Sequence, residues 1–584
     1  MRSAINKFRL SLVIVPLILL IAGGGIYLLQ HPTGSTTTEA YNGHGGTFKN
    51  TLAEIDTPDP SVIYNNGYYY MTFTHNATDI MVMRSRTMDF RQAERKVVWY
   101  PPADTSYSAE IWAPEIQYLQ GKWYIYFAAD DGDNQNHRMY ALEGDSQDPL
   151  GTYTFKGQMK DESDKWAIDG LVMEFKEKLY FVWSGWQGDV NAAQNTYIAP
   201  MSDPLTISGP RILLSEPVLD WEKAGGPPYI NEGHSILHKD DQVFIVYSGA
   251  GSWTPFYSLG MLALKPHADP LDPKGWIKSE QPLLSMDEEA GVYGPGHNSF
   301  VTSPDGSEQW IVYHATTGAA DGWNNRKARA QLIHWNEEGL PVVGKALALS
   351  TPIEVPSGMG LFKAESAVTS GEMLTFPLLP SVVDSTLPVL VHYSNPSGEK
   401  SSVSVVVNDT SKLALNLPPT EDEEVAYAYI SSVVFKAGMN ELTLDLSGQK
   451  SVKILAIEIP RFEAESASIE GNSEVEENPF ASGGVIASLY DSESSLRFTN
   501  VHVPHSGVYK VGLGIMNSKA ENASLAVSVN GGKQSVHPVE KQERNQISLV
   551  TLELKLQAGA NEISIFDRQG GFSIDYMDVW QDHN

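Results

Sequence analysis

The chain contains no cysteine. No disulfide can staple it, no thiolate can hold zinc or attack a substrate, and no lipid can be attached through sulfur. Positive charge is scarce: 41 Lys and Arg stand against 71 Asp and Glu, a formal net charge of -30. That excess repels phosphate polyanions and acidic lipid, so nucleic acid is excluded as a partner. Also missing are a complete Gly-x-x-x-x-Gly-Lys-Ser/Thr phosphate loop (Gly339 to Lys345 has the spacing, but Ala346 follows), a His-Glu-x-x-His zinc motif and a Gly-x-Ser-x-Gly nucleophile turn, and with them the chemistries those motifs serve. What is there is ordinary globular composition, 42% hydrophobic and 19% charged, which folds rather than staying disordered. At 584 residues the chain is too long for one core and accommodates two to four domains.

Residues 1–41 read as an export segment outside the fold. Arg2, Lys7 and Arg9 precede an uncharged run of 20 residues, Leu10 to Leu29, long enough for a helix of about 30 Å. A signal peptide and an uncleaved single-pass membrane anchor both remain open on length. Under either reading the positive flank stays inside and the remainder is extracellular. The stretch Ser35 to Thr38 follows as a linker.

The larger part of the chain is governed by a repeat. Five segments share a small polar start, a short apolar strand, a turn and an aromatic-rich strand. They begin at Asp59-Pro-Ser-Val-Ile-Tyr, Ala113-Pro-Glu-Ile-Gln-Tyr, Asp169-Gly-Leu-Val-Met-Glu-Phe, Glu232-Gly-His-Ser-Ile-Leu and His297-Asn-Ser-Phe-Val, starts that lie 54, 56, 63 and 65 residues apart. Units of that length hold about four strands each, the size of a propeller blade. The fold class expected is therefore all-β, with a five-bladed β-propeller over 45–355, whose ring leaves no bare sheet edge. In a propeller the first strand of each blade lines the axial channel, so the repeat starts converge on one mouth. Glu115, two residues after Ala113, lies on the same strand face. Three acids, Asp59, Asp169 and Glu232, then share one pocket despite mutual repulsion, an arrangement that stability alone does not favour. Carboxylates among aromatics suit glycosidic bond cleavage, which needs one acid kept protonated and one kept ionised. A catalytically inactive, cell-surface sugar-binding protein is the reading from another class; the presence of all three acids favours the enzyme.

These segments resemble glycoside hydrolase family 43, five-bladed propeller enzymes that act with inversion on arabinose- and xylose-containing polysaccharides. The resemblance spans about residues 50–349 and is carried by Asp59-Pro-Ser-Val-Ile-Tyr, Trp112-Ala-Pro-Glu-Ile, Trp166-Ala-Ile-Asp-Gly, Asn231-Glu-Gly-His and Tyr293-Gly-Pro-Gly-His-Asn-Ser. It implies Asp59 as general base, Glu232 as general acid and Asp169 as the carboxylate that raises the pKa of Glu232. It further implies that Arg329 reaches the sugar, that His297 contacts substrate or approaches a calcium ion at the propeller axis, and that no cofactor serves the chemistry. Trp112, Trp166 and Trp186, with Glu115, are the further candidates for the substrate pocket, since aromatic planes match the C–H faces of sugars. The closest resemblance is to α-L-arabinofuranosidases trimming plant cell-wall arabinan or arabinoxylan; β-xylosidase and endo-arabinanase activities are the alternatives within the family. One departure stands out: His234-Ser235 replace a Pro-Glu common in relatives, which implies an altered adjoining subsite.

Beyond residue 360 the aromatic density falls and a second repeat begins. Phe362-Lys-Ala-Glu-Ser-Ala recurs as Phe462-Glu-Ala-Glu-Ser-Ala, and Ala437-Gly-Met-Asn-Glu-Leu recurs as Ala558-Gly-Ala-Asn-Glu-Ile. Two β-sandwich (jelly-roll) domains are expected, over 360–460 and 461–584. The second resembles carbohydrate-binding module family 6, which implies a structural calcium held by Glu463, Glu465 and Asp578. In the first copy Lys363 replaces the first of these acids, so no calcium is expected there. The cleft tyrosine of that family aligns with Tyr393 in the first copy and with Ile515 in the second.

Overall fold

The computed structural model describes residues 47–581 apart from 66–67, 86, 92, 359, 382–383, 422–423, 437, 479, 483–484, 504 and 545. The export segment expected at 1–41 lies outside the described residues. Within them the chain is all-β, with helix confined to single 3-10 turns such as Asn134–Asn136 and Trp221–Lys223.

Each of the five N-terminal repeats folds as an antiparallel meander. The first comprises Ser61–Asn65, Tyr68–Thr72, Ile80–Ser85 and Glu94–Trp99, and the second Ala109–Leu119, Lys122–Asp130, Arg138–Gly144 and Tyr153–Met159. The aromatic and β-branched second strands are buried on both faces, as in Trp123 to Asp130, because sheets pack on either side of them. Two departures from four separate strands per repeat occur. The third and fourth repeats merge into one nine-stranded sheet, since Ala193 and Gln194 pair in parallel with Tyr229 and Ile230. The fifth repeat has three strands, Tyr293–Thr302, Gln309–Thr316 and Lys327–Leu332. Its open edge is taken up by residues 50–57: Leu52 N–H donates to Ala328 O (2.8 Å), Thr57 N–H donates to Arg326 O (2.8 Å), and Asn50 exchanges two side-chain hydrogen bonds with Ala330.

The first strands of successive repeats contact one another in order, and the fifth, Tyr293–Thr302, contacts the first, Ser61–Asn65. One polar staple joins each pair of neighbouring repeats, three of them between first strands and two from a second strand to the next first strand. Ile116 N–H donates to Ser61 Oγ, Val172 N–H to Gln117 Oε1, Ser184 Oγ to Asn231 O, His297 N–H to Ser248 Oγ and Val62 N–H to Ser299 Oγ, all within 3.2 Å. Such bonds satisfy backbone groups that strand bulges leave unpaired inside the protein.

Residues 361–458 form a four-stranded and a five-stranded sheet that share one apolar core, including Phe362, Val391, Val405, Phe435 and Leu444. Residues 461–580 repeat the plan with sheets of six and five strands around Phe462, Leu496, Leu513, Ile565 and Met577. The duplicated sequence plays the same part twice. Phe362 pairs with Ile457 and Phe462 with Met577. In the second motif, Asn440 accepts from Lys436 N–H and donates to Lys436 O, and Asn561 does the same with Gln557. Tyr393, aligned by sequence with a sugar cleft, is instead 1% exposed and donates its hydroxyl to Pro418 O. Lys363 ties the first pair of sheets to the preceding repeats through ion pairs with Glu308 (2.8 Å) and Glu354 (3.2 Å).

Candidate active site

The five repeat starts share a backbone feature that composition does not reveal. Asp59, Ala113, Asp169, Gly233 and His297 all adopt positive φ, between 43° and 58°. In the last four repeats the left-handed residue sits in a register shift of the first strand, and such a bulge re-aims the side chains beside it. The equivalent positions are thus spaced 54, 56, 64 and 64 residues apart. This corrects the alignment by sequence: Gly233, not Glu232, is the counterpart of Asp59 and Asp169, and Glu232 enters the pocket from one residue earlier. Glycine is required at 233. A Cβ there would lie 3.0 Å from His297 Cα, His297 Cγ and Ser248 Oγ, and L side chains resist that φ. The Gly233 N–H donates to Asp169 Oδ2 at 2.8 Å.

Asp59, Asp169 and Glu232 do line one pocket, together with His297. Asp59 is the best-satisfied acid. Its Oδ2 accepts from Thr74 Oγ1 (2.7 Å), while Arg326 Nη1 (3.3 Å) and His297 Nδ1 (3.4 Å) face Oδ1. Burial opposes its charge, yet Arg326, His297 and the Thr74 hydroxyl overcome that penalty and hold the carboxyl well below the usual range. His314 approaches Asp59 Oδ1 at 3.4 Å, but its Nδ1 accepts the Asp59 N–H at 3.0 Å. Burial, then Arg326, keep that imidazole uncharged, so the contact is no ion pair.

Glu232 is driven the other way. Burial first, then the charge of Asp169, raise its pKa far above that of an exposed glutamate. Its Oε1 accepts from Tyr257 Oη at 3.0 Å. Asp169 is raised too, by burial and by Asp59, with His297 opposing. His297 is the counter-ion of the group. Despite burial, Asp169, Asp59 and Glu115 raise its pKa to about 10, so it is an imidazolium whose Nδ1 faces Asp59 and Asp169 and whose Nε2 bonds Glu115 Oε1 at 3.1 Å. The pocket therefore holds a protonated acid and an ionised base at the same pH, the pairing that glycosidic cleavage needs.

Residues 48–341 match the sequence profile of glycosyl hydrolases family 43, half of the chain. The chain belongs to glycosyl hydrolase family 43. It is similar to an extracellular exo-α-(1→5)-L-arabinofuranosidase of Streptomyces avermitilis, 36% identical over 53% of this chain and 66% of the relative. It is also similar to the α-L-arabinofuranosidase 43 of Humicola insolens, 32% identical over 52% of this chain and 63% of the relative. The match thus spans just under two thirds of the length of each of these relatives. Among solved structures, an α-L-arabinofuranosidase from Lactobacillus brevis is 34% identical, covering 52% of this chain and 98% of its own, with a TM-score of 0.49.

Against this family-43 frame, several expected pocket residues take other places. Trp112 and Trp166 line the pocket; Trp112 stacks on His137 at 4.0 Å, and Trp166 Nε1 donates to Asn134 O. Trp186 does not line it, being 1% exposed and stacked behind Trp166 at 4.6 Å. Glu115 is buried beneath His297 and holds that ring rather than reaching the pocket. Arg329 is fully buried, with Nη2 donating to Thr316 O. The cation at the pocket is Arg326, which precedes the strand Lys327–Leu332, whereas Arg329 is carried about 10 Å further along it. His234 is also buried and hydrogen-bonded to Thr196 Oγ1, and neither it nor Ser235 lines the pocket. Sequence reasoning missed Phe73, which closes the aromatic strand of the first repeat, Thr74 beside it, and Trp253 and Trp323 on loops outside the repeat motif, all of which line the pocket. The signal for the last two was an isolated tryptophan in a glycine-containing loop, Gly251-Ser252-Trp253 and Gly322-Trp323.

The expected calcium ligands are engaged to different degrees: Asp578 is fully paired, whereas Glu463 Oε2 is buried with no hydrogen-bond partner. Among the described residues no group of three His, Asp or Glu is arranged to hold a metal ion. His297 makes its ring contacts to Asp59, Asp169 and Glu115. Asp578 is engaged by Arg461 in a two-pronged ion pair (2.7 and 2.8 Å). Glu463 accepts from Ser482 Oγ, and Glu463, Asp578 and Arg461 all act on the buried Asp575. Burial raises the Asp575 carboxyl to about 8.

Proposed function

We propose that the chain is an extracellular glycosidase that removes terminal α-L-arabinofuranosyl residues from arabinan or arabinoxylan with inversion. The catalytic part is a five-bladed propeller over 45–355. It is followed by β-sandwich domains over 360–460 and 461–584, the second of the family 6 carbohydrate-binding type. The observation that carries the reading is the opposite displacement of two carboxyl pKa values within one pocket: Asp59 depressed by Arg326 and His297, Glu232 raised by burial and Asp169. The arabinofuranosidase activities of the two relatives named above support the choice of sugar.

In this reaction Asp59 takes a proton from a water whose oxygen forms the new bond to the anomeric carbon. The glycosidic C–O bond breaks on the opposite face, and Glu232 gives its proton to the departing oxygen. Asp169 acts on Glu232 through its charge and through the Gly233 N–H that it accepts. His297 balances the negative charge, so that three acids coexist at a tolerable cost. The test is turnover of α-1,5-linked arabinotriose, with the product anomer followed by NMR in the first minutes. Asp59→Asn and Glu232→Gln should each lose about 10²–10⁴-fold in kcat, and the first product of the unaltered protein should be the β-anomer. A first-formed α-anomer, or full activity of Glu232→Gln, overturns the assignment.

A further inference from the structure

The pocket is larger than one reacting sugar requires. Its volume is about 590 Å³, whereas a pentose of ten heavy atoms takes the room of about six waters, roughly 180 Å³. Its tryptophans are graded by depth. Trp166 is buried, Trp112 and Trp253 are half-buried, and Trp323 at the rim is 61% exposed. A single exposed aromatic is ordinary by itself, but one held in place beside a polar pocket offers a flat face on which a sugar can stack.

Trp323 is also held in place. Its Nε1 donates to Ser252 Oγ at 3.1 Å, and its ring meets Trp253 edge-to-face at 5.8 Å. The loop beneath it is pinned at both ends: Gly318 N–H and Asn324 Nδ2 bond to Asp321, and Asn325 N–H donates to Asp56 Oδ2. Trp253 in turn lies against Gly251, where any Cβ would fall 2.6 Å from the indole. The connection to the acids is one side chain long. Arg326 donates from Nε to Trp323 O (3.2 Å) and from Nη1 to Asp59 Oδ1 (3.3 Å).

We infer that Trp253 and Trp323 form an aromatic platform for the second sugar of an oligosaccharide, the leaving-group residue next to the bond being cut. The inference rests on the glycosidase reading of the pocket. A sugar seated over Asp59, Asp169 and Glu232 fills the deep end, so the rest of the chain leaves past the rim, where Trp323 presents an apolar face to the C–H face of the next residue. The platform makes the protein prefer oligosaccharides over simple glycosides without touching the reacting atoms.

The test compares α-1,5-linked arabinotriose with methyl α-L-arabinofuranoside, whose methyl aglycon is too small to reach the rim. In Trp323→Ala the ratio of kcat/KM on arabinotriose to kcat/KM on the methyl glycoside should fall about tenfold, and Trp323→Phe should restore most of it. An unchanged ratio, with both substrates equally affected or both unaffected, overturns the platform. Calorimetric binding of arabinotriose separates this from the functional reading. If the unaltered protein turns over neither substrate but loses about tenfold in affinity on Trp323→Ala, the platform stands and the arabinofuranosidase assignment falls; equal affinity of the two proteins overturns the platform.

Discussion

Replacing Arg326 with methionine tests how the pocket keeps its base ionised. Arg326 Nη1 lies 3.3 Å from Asp59 Oδ1, with the two side chains 14% and 12% exposed. At an effective dielectric of about 20, unit charges at that separation attract by about 5 kcal/mol. Since about 1.4 kcal/mol corresponds to one pKa unit, the guanidinium has scope for about 3.5 units. His297 at 3.4 Å and the Thr74 hydroxyl remain in the variant, and water partly replaces the lost charge, so we expect the Asp59 pKa to rise by about one to two units. The base works only when ionised, so its protonation sets the acid limb of kcat/KM against pH. Raising the pKa moves that limb to higher pH, and the variant loses rate at the acid end of the profile beyond any uniform loss. The profile is measured on arabinotriose from about pH 3 to about pH 9, where kcat/KM reports the free enzyme. Arg329→Met is the control, because that guanidinium lies away from Asp59 and its loss should lower stability without moving the limb. An acid limb that stays in place in Arg326→Met, or moves instead in Arg329→Met, refutes the reasoning.

Three further outcomes follow from the same geometry. Tyr257→Phe removes the donor at 3.0 Å that favours ionised Glu232; the Glu232 pKa rises, and the alkaline limb of kcat/KM should move up by about 0.5–1 unit, a downward move being the contrary result. Gly233→Ala places a Cβ against His297 and Ser248 at positive φ, and urea unfolding should register a loss of at least about 2 kcal/mol along with loss of activity. Glu222 is fully buried in an ion pair with Lys278 at 2.6 Å and accepts from Tyr247 Oη and from Asn231, the neighbour of Glu232. Lys278→Met should cost about 3 kcal/mol on denaturation, because it strands a buried charge, and pairing it with Glu222→Gln should recover most of that; no recovery would mean that packing, not charge, is what Lys278 supplies.

Much of this protein was legible in its sequence because repeats and periodicity are local signals. The five polar-apolar-aromatic segments became five meanders, and the duplicated Phe-x-Ala-Glu-Ser-Ala and Ala-Gly-x-Asn-Glu motifs became paired structural devices in two sets of sheets. Asp59, Asp169, Glu232 and His297 could be gathered into one pocket on paper, since equivalent residues of a repeat meet when the repeats pack side by side. The pairs that sequence confused are close neighbours. Arg329 was chosen over Arg326 and Glu232 over Gly233 as the equivalent position, shifts of three residues and one.

Sequence determined which residue types recur and how often, hence an all-β chain with an acidic pocket, because hydrophobic alternation and repeat spacing are properties of the chain itself. Tertiary structure decided what each acid is for. Charge state depends on which cation stands within 4 Å and how much water is excluded, and those are distances between residues as far apart in the chain as Asp59 and Arg326. It also decided which aromatics face the pocket: a bulge of one residue turns a side chain toward the cavity or into the core, and no pattern of residue types records that turn.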